Sequence, residues 1–268
     1  MKPRATIVET ASLTRRFGTF TAVDAVSFTV FPGEIFGLIG SNGAGKSTLV
    51  KMLTTMLPPT SGRAVVAAYD VVRNAANVRA HIGYVPQLLS ADGALTGYEN
   101  LLFAARLYLV PRAEREKRVQ MALERMGLAE FADRLVQGYS GGMIRRLEIA
   151  QSTIHEPPVL FMDEPTVGLD PAARHVVWAH VRQLQETLGT TIIMTTHLMD
   201  EADQMCDRIG LLHSGRLQAV GSPKELKASI GPEATLDDVF ASIADTGAGS
   251  EGSYRDVRQT RRSIQSHS

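Results

Sequence analysis

Short apolar runs alternate along this chain with longer stretches of helical spacing, and their order sketches a fold. Ala5 to Thr10, Leu13 to Phe17 and Val26 to Val30 are rich in β-branched and aromatic residues and read as strands. A turn at Phe31-Pro32-Gly33-Glu34 leads into Glu34-Ile35-Phe36-Gly37-Leu38-Ile39, a short apolar run suited to a buried parallel strand. Ser47 to Leu53 can start a helix, which Pro58-Pro59-Thr60-Ser61-Gly62 breaks before Arg63 to Ala68 resumes as strand. Ile82-Gly83-Tyr84-Val85-Pro86-Gln87 is a further strand. From about 97 to 155 the period becomes helical, with Leu101, Leu102, Ala105 and Leu109, then Val119, Ala122, Leu123 and Met126, at three-and-four spacing. Gly127 closes one of these helices and Arg112 to Arg118 forms a solvated charged face.

Beyond residue 155 the alternation returns. Val159-Leu160-Phe161-Met162 is a buried strand, Ala172 to Leu188 a helix, and Thr191 to His197 another strand. Arg208 to His213, Ser214-Gly215 and Arg216 to Val220 spell a hairpin with a tight turn. Short helices are expected at Pro223 to Ser229 and Leu236 to Ile243. The expected architecture is therefore α/β: a core with a parallel sheet, an antiparallel β subdomain before it, and an inserted helical subdomain at about 90–155. One domain is expected over 1–243. From 244 to 268 no apolar period remains, and a disordered tail is expected whose Arg255, Arg258, Arg261 and Arg262 belong to a solvated end.

Composition narrows the picture in three ways. Twenty-eight basic and 28 acidic residues cancel, so bulk charge gives no argument for nucleic acid. A single cysteine, Cys206, rules out an internal disulfide and a cysteine-based zinc site, and its helical surroundings suit a small core residue. The start, Met1 to Thr6, lacks a leader's apolar run, and no window approaches the roughly 18–20 apolar residues that span a bilayer. The expectation is a soluble intracellular chain whose link to a membrane runs through a partner.

The chemistry concentrates where strands end. Gly40-Ser41-Asn42-Gly43-Ala44-Gly45-Lys46-Ser47-Thr48 fits the phosphate-binding loop pattern between a strand and a helix. Gly43 and Gly45 let the backbone approach phosphate, N–H groups form a cradle at a helix N-terminus, Lys46 can reach β- and γ-phosphates, and Ser47 can ligate magnesium. Gln87 ends its strand with a side chain able to ligate magnesium or orient a water. Ser140-Gly141-Gly142 precedes a helix as a cap followed by two exposed N–H groups, a second place for an anion. Asp163 and Glu164 close an apolar strand, the first placed for magnesium and the second to polarise a water against a γ-phosphate. His197 stands at the end of the next strand, within range of that phosphate or water, and Phe17 is an aromatic able to stack on adenine.

The order of these motifs, with Gly168-Leu169-Asp170 between the acidic pair and His197, resembles the ATP-binding cassette (ABC) transporter ATPases over about residues 5 to 240. No Asn-Lys-x-Asp guanine-reading motif is present. The resemblance implies that Gly40 to Thr48 hold the phosphates of ATP and that Phe17 stacks on its adenine. Mg2+ would be held by Ser47, Gln87 and Asp163, Glu164 would be the general base, and His197 the switch histidine. It also implies that Ser140, Gly141 and Gly142 meet the γ-phosphate held by a second ATPase subunit in a head-to-tail dimer, with Asp170 at the interface. A separate transmembrane permease subunit at the cytoplasmic face of the membrane would be the other partner. Ser41 stands where the family commonly has Pro, and Phe17 where it has Tyr. Tyr139 and Met143 flank Ser-Gly-Gly in place of Leu and Gln. With Leu236-Asp237-Asp238-Val239-Phe240, those flanks are similar to the daunorubicin-resistance exporters. An importer ATPase and a soluble non-transport ATPase of the same family are the alternatives.

Overall fold

The computed structural model of the chain describes residues 5–247, which form two sheets with helices packed on them. The first sheet is antiparallel, built from β1 (Val8–Phe17), β2 (Phe20–Val30), β4 (Ser61–Val66) and β5 (Tyr69–Asp70) in the order β2-β1-β4-β5. The second combines β3 (Ile35–Ile39), β6 (Ile82–Val85), β7 (Val159–Asp163), β8 (Thr191–Thr196), β9 (Arg208–His213) and β10 (Arg216–Gly221) in the order β10-β9-β3-β8-β7-β6. All neighbours in it are parallel except the β9–β10 hairpin. The helices are α1 (Lys46–Leu53), α2 (Ala75–Ala80), α3 (Gly97–Leu107), α4 (Arg115–Arg125) and α5 (Gly141–Thr153). They continue with α6 (Pro171–Leu188), α7 (Met199–Met205), α8 (Pro223–Ala228) and α9 (Leu236–Gly247).

The parallel strands are mostly apolar because both their faces are covered, with polar residues mainly at their ends. Every residue of β3, β7 and β8 is buried. Their side chains divide by strand parity between two cores. Ile35, Ile39, Leu160, Met162, Ile192 and Met194 face the core shared with α3 to α9. Phe36, Leu38, Val159, Phe161 and Ile193 face α1 and the antiparallel sheet, where Phe28 stacks on Phe36 with ring centroids 5.2 Å apart. β10, by contrast, alternates between exposed and half-buried positions, as a strand with one wet face should.

Helix ends follow local chemistry. Thr96 and Glu99 form a reciprocal cap on α3, as do Ser222 and Glu225 on α8. Asp170 caps α6 through the Ala173 N–H, with Pro171 in the first turn, and Gly189 ends that helix at φ +65°.

Two expected elements differ from the structure. The strands expected at 5–10 and 13–17 are one strand, β1, whose register shifts around Ser12 at φ +47°. The irregularity lies where β4 comes closest: a side chain at Gly62 would collide with the Ser12 carbonyl. The helix expected to end at Ile243 continues to Gly247, since Ala244-Asp245-Thr246 contains no breaker. The remainder of the expected tail, 248–268, lies outside the described residues. Cys206 sits just past α7, buried with its thiol against Gly37, and burial pushes that thiol up, in keeping with a core role.

His155, after α5, gives this packing a pH dependence. Its ring stacks on Tyr108 at 3.9 Å and Nε2 lies 3.1 Å from the Ile82 carbonyl oxygen. Burial, aided by nearby Arg118, pushes it down from 6.5 to about 4. The native imidazole therefore stays neutral while the unfolded one takes up a proton below pH 6.5. Its contribution to stability is present above pH 6.5 and lost as pH falls toward 4. Thermal melts at pH 7.5 and 5 should show a smaller pH-induced drop in Tm for His155→Phe than for the parent. An equal drop would remove His155 from the account.

Candidate functional site

The parallel strands all point their C-terminal ends to one edge, and the order β3-β8-β7-β6 brings four distant segments together there. β3 runs into the loop Gly40 to Gly45, and α1 starts at Lys46. The loop must turn sharply between two walls. Gly43 and Gly45 adopt φ +80° and +103°, and side chains at Gly40 or Gly45 would collide with the carbonyls of Leu212 and Ala22. Gly45 caps α1 without a side-chain hydrogen bond, which leaves the first-turn N–H groups directed into the loop.

Lys46 is buried, and its ammonium donates to the Gly40 and Ser41 carbonyl oxygens at 2.8 and 3.2 Å. It also lies 3.4 Å from Glu164 Oε1. His197 Nδ1 meets the same oxygen at 3.2 Å, and Gln87 Nε2 donates to Oε2 at 3.3 Å. Glu164 is thus a carboxylate, 8% exposed, on which the loop, the β6 end and the β8 end converge. Its backbone is left-handed at φ +46°, and its N–H is fixed by Thr195 Oγ1 at 2.9 Å. A non-glycine residue held there costs of the order of 1 kcal/mol, which the surrounding contacts must offset. Asp163, one residue earlier, accepts from Ser47 Oγ at 3.1 Å and from Thr195 Oγ1 at 2.6 Å.

These groups border a cavity of about 540 Å3 lined by residues 42–48, Gln87, Glu164, His197, Val167, Ala22 and Phe20. Phe17 is not part of that lining. Its ring, 45% exposed, lies under the Arg15 guanidinium at 4.6 Å, and it pairs with Phe20 across the β1–β2 turn. Ser140, Gly141 and Gly142 are also away from the cavity. Ser140 caps α5 through the Met143 N–H at 3.3 Å, and the two glycines pack beside Leu169 and Ala173, next to the Asp170 turn.

Four participants are invisible to motif reading. Thr195 orients both acidic residues from β8. Glu201 on α7, 5% exposed, accepts from Thr166 Oγ1, from Trp178 Nε1 at 2.7 Å and from Thr196 Oγ1 at 2.8 Å, tying the segment after Glu164 to the residue before His197. Arg145 and Glu148 on α5 are both 2% exposed. A threonine pair before a strand-end histidine is a faint signal for the first two; charged residues inside a helix carry none.

The oxygen donors here, one serine hydroxyl, one carboxylate and one amide, suit a hard cation that keeps water and phosphate as its other ligands. Among the described residues there is no cluster of three or more His, Cys, Asp or Glu able to hold a metal alone. A glycine cradle, a buried lysine and an acidic strand end on one sheet edge define a phosphate-loop nucleoside-triphosphate-binding protein.

Comparison with known proteins makes the class specific. The family model described as ABC transporter matches residues 23–167, and the chain belongs to that family. It is 44% identical over 246 residues to the probable multidrug ABC transporter ATP-binding protein YbhF of Escherichia coli (strain K12), covering 90% of this chain and 42% of that protein. The chain therefore spans less than half of that relative. It is also 44% identical over 224 residues to the daunorubicin/doxorubicin resistance ATP-binding protein DrrA of Streptomyces peucetius, covering 84% of this chain and 68% of that one. A solved ATP-binding subunit of an ABC transporter superposes with a TM-score of 0.79 at 30% identity, covering 89% of this chain and all of that one. A second, the ADP form of a cassette from an ABC transporter, gives 0.77 at 26% identity over 92% of this chain.

Proposed function

We infer that the chain is the ATP-binding and ATP-hydrolysing subunit of an exporter, working on a separate transmembrane subunit. The observation that carries the reading is the convergence of Lys46, Gln87 and His197 on Glu164, beside the glycine cradle. Residues 40–48 bind the phosphates through backbone N–H groups and Lys46. Ser47, Asp163 and Gln87 would hold Mg2+, which when bound neutralises charge developing on the β- and γ-phosphates. Glu164 takes a proton from the attacking water, and His197, on the same carboxylate oxygen, orients it and meets the γ-phosphate. Phe17, exposed beside the cavity, is free to stack on adenine once Arg15 gives way.

Other surfaces face away from the cavity. Ser140 and Gly141, exposed at the start of α5, with the Gly142 backbone behind them, are available to the γ-phosphate of a second chain in a head-to-tail dimer, with Asp170 alongside. The ATPase domain is taken as 1–243, with the helices of about 90–155 as a subdomain. Leu88 and Leu89 after Gln87, and Phe103, Leu107 and Leu109 on and after α3, are large apolar side chains at least half exposed. Exposed apolar side chains directly after Gln87 and along α3 suit the transmembrane partner. No helix among the described residues is long and apolar enough to cross a membrane, so membrane attachment is assigned to that partner, at the cytoplasmic face. Relatives named for multidrug transport, for daunorubicin and doxorubicin resistance and for Nod factor export favour outward transport.

Capture of the tagged chain from detergent-solubilised native membranes, with ATPase assayed on the eluate, tests this. A stoichiometric polytopic membrane protein in an active eluate is expected. Ribosomes or DNA-repair proteins instead, with no membrane protein, would sink the transport reading and leave the ATPase chemistry standing.

A further inference from the structure

α5 does more than present Ser140 at its N-terminus. Along one face, at positions 145, 148 and 152, it grips β6 and the segment that follows. Ser152 Oγ donates to the Tyr84 carbonyl oxygen at 2.8 Å. The Arg145 guanidinium donates to the Pro86 oxygen through Nη1 and to the Gln87 oxygen through Nη2, both at 2.7 Å. Glu148 Oε2 lies 3.0 Å from Arg145 Nη1, and Oε1 accepts from the Ser90 N–H and from Ser90 Oγ at 3.1 Å. Residues 86–90 are neither helix nor strand, so these side chains set the path of their backbone.

A pair this deeply buried is not explained by packing. Desolvating two charges is costly, and apolar residues of the same volume often serve stability as well or better. Burial indeed pushes the Glu148 carboxyl up, against the pull of Arg145. What the charged pair supplies, and an apolar pair does not, is direction: a planar fork fixes two successive carbonyls at once. One of those carbonyls belongs to Gln87, whose exposed side chain reaches Glu164.

The geometry points to Arg145 and Glu148 as positioning residues that hold the Gln87 backbone so that its side chain stands against Glu164. This rests on the role given to Gln87 under the proposed function. Neither residue lines the cavity; both act through Gln87.

The test is steady-state ATP hydrolysis by the captured complex, with variants chosen to separate positioning from folding. Replacing both residues, Arg145→Met with Glu148→Leu, keeps the volume without an orphaned charge, and a parent-like melt is expected. Its kcat should fall about 10- to 100-fold, the scale on which a small misplacement acts, with KM for ATP within about twofold. Arg145→Lys keeps the charge but not the fork and should also fold and be slow. Gln87→Ala should be slow, and the triple variant no slower than Gln87→Ala alone, because the losses share one route. Parent kcat in the folded double variant, or in Arg145→Lys if the double variant does not fold, overturns the inference. So does a triple variant whose loss multiplies the two. Gln87→Ala at full rate would remove the role of Gln87 itself and the inference with it. A slow Gln87→Ala beside a fast double variant would remove the inference alone.

Discussion

Glu164→Gln will bind ATP and fail to turn it over. The substitution removes the only property of Glu164 that takes up a proton while leaving its shape. An amide oxygen can still accept from Lys46 and His197, and the left-handed backbone at φ +46° costs glutamine what it costs glutamate. The phosphate loop is untouched. General-base catalysis typically contributes about 10²- to 10⁴-fold, so kcat should fall by at least that range. The ATP dissociation constant should stay near that of the parent. Because the ATP-loaded form of the proposed head-to-tail dimer is left with no route to products, its lifetime should lengthen. Turnover by single-cycle kinetics and dimer lifetime by gel filtration read the two effects separately. Unchanged hydrolysis would refute Glu164 as the base.

Lys46→Ala fails one step earlier, at binding. The ammonium is already in place, 5% exposed and held by two loop carbonyls, so little ordering cost remains when a phosphate arrives. A hydrogen bond to a charged group is worth about 1.5–3 kcal/mol, which translates into a Kd raised roughly 10- to 150-fold. Equilibrium binding of ATP measures it. The same truncation leaves the Glu164 carboxylate without its cation, so a thermal melt must accompany the titration. Normal ATP affinity in a folded variant would count against the phosphate-loop assignment.

Much of this site could be read from the sequence because its parts are local. A strand, a glycine loop and a helix start are contiguous, and so are Asp163 and Glu164 with the apolar run that carries them to the sheet edge. The β9–β10 hairpin was legible from Ser214-Gly215, both at positive φ in the structure. Contacts across the sheet were not legible. Gln87 meets Glu164 across 77 positions only because β6 pairs with β7, and no spacing encodes that pairing. β1 reads as two strands because a bulge mimics a break. α2 and β5 are too short to develop a period. Arg145, Glu148 and Glu201 resemble a wet helix face until the partners that desolvate them are placed.

Strand order also distributes stiffness. β3, which delivers the phosphate loop, is laddered on both sides, by β8 and β9, so displacing it means breaking two rows of hydrogen bonds at once. β6, which delivers Gln87, is the terminal strand, four residues long and laddered to β7 alone. A nucleotide bound as proposed above would be gripped between an anvil at the centre of the sheet and a jaw at its rim. Strain introduced by a change in that nucleotide would be relieved at the rim, where moving a strand disrupts the fewest bonds, and that rim is where the exposed leucines after Gln87 begin.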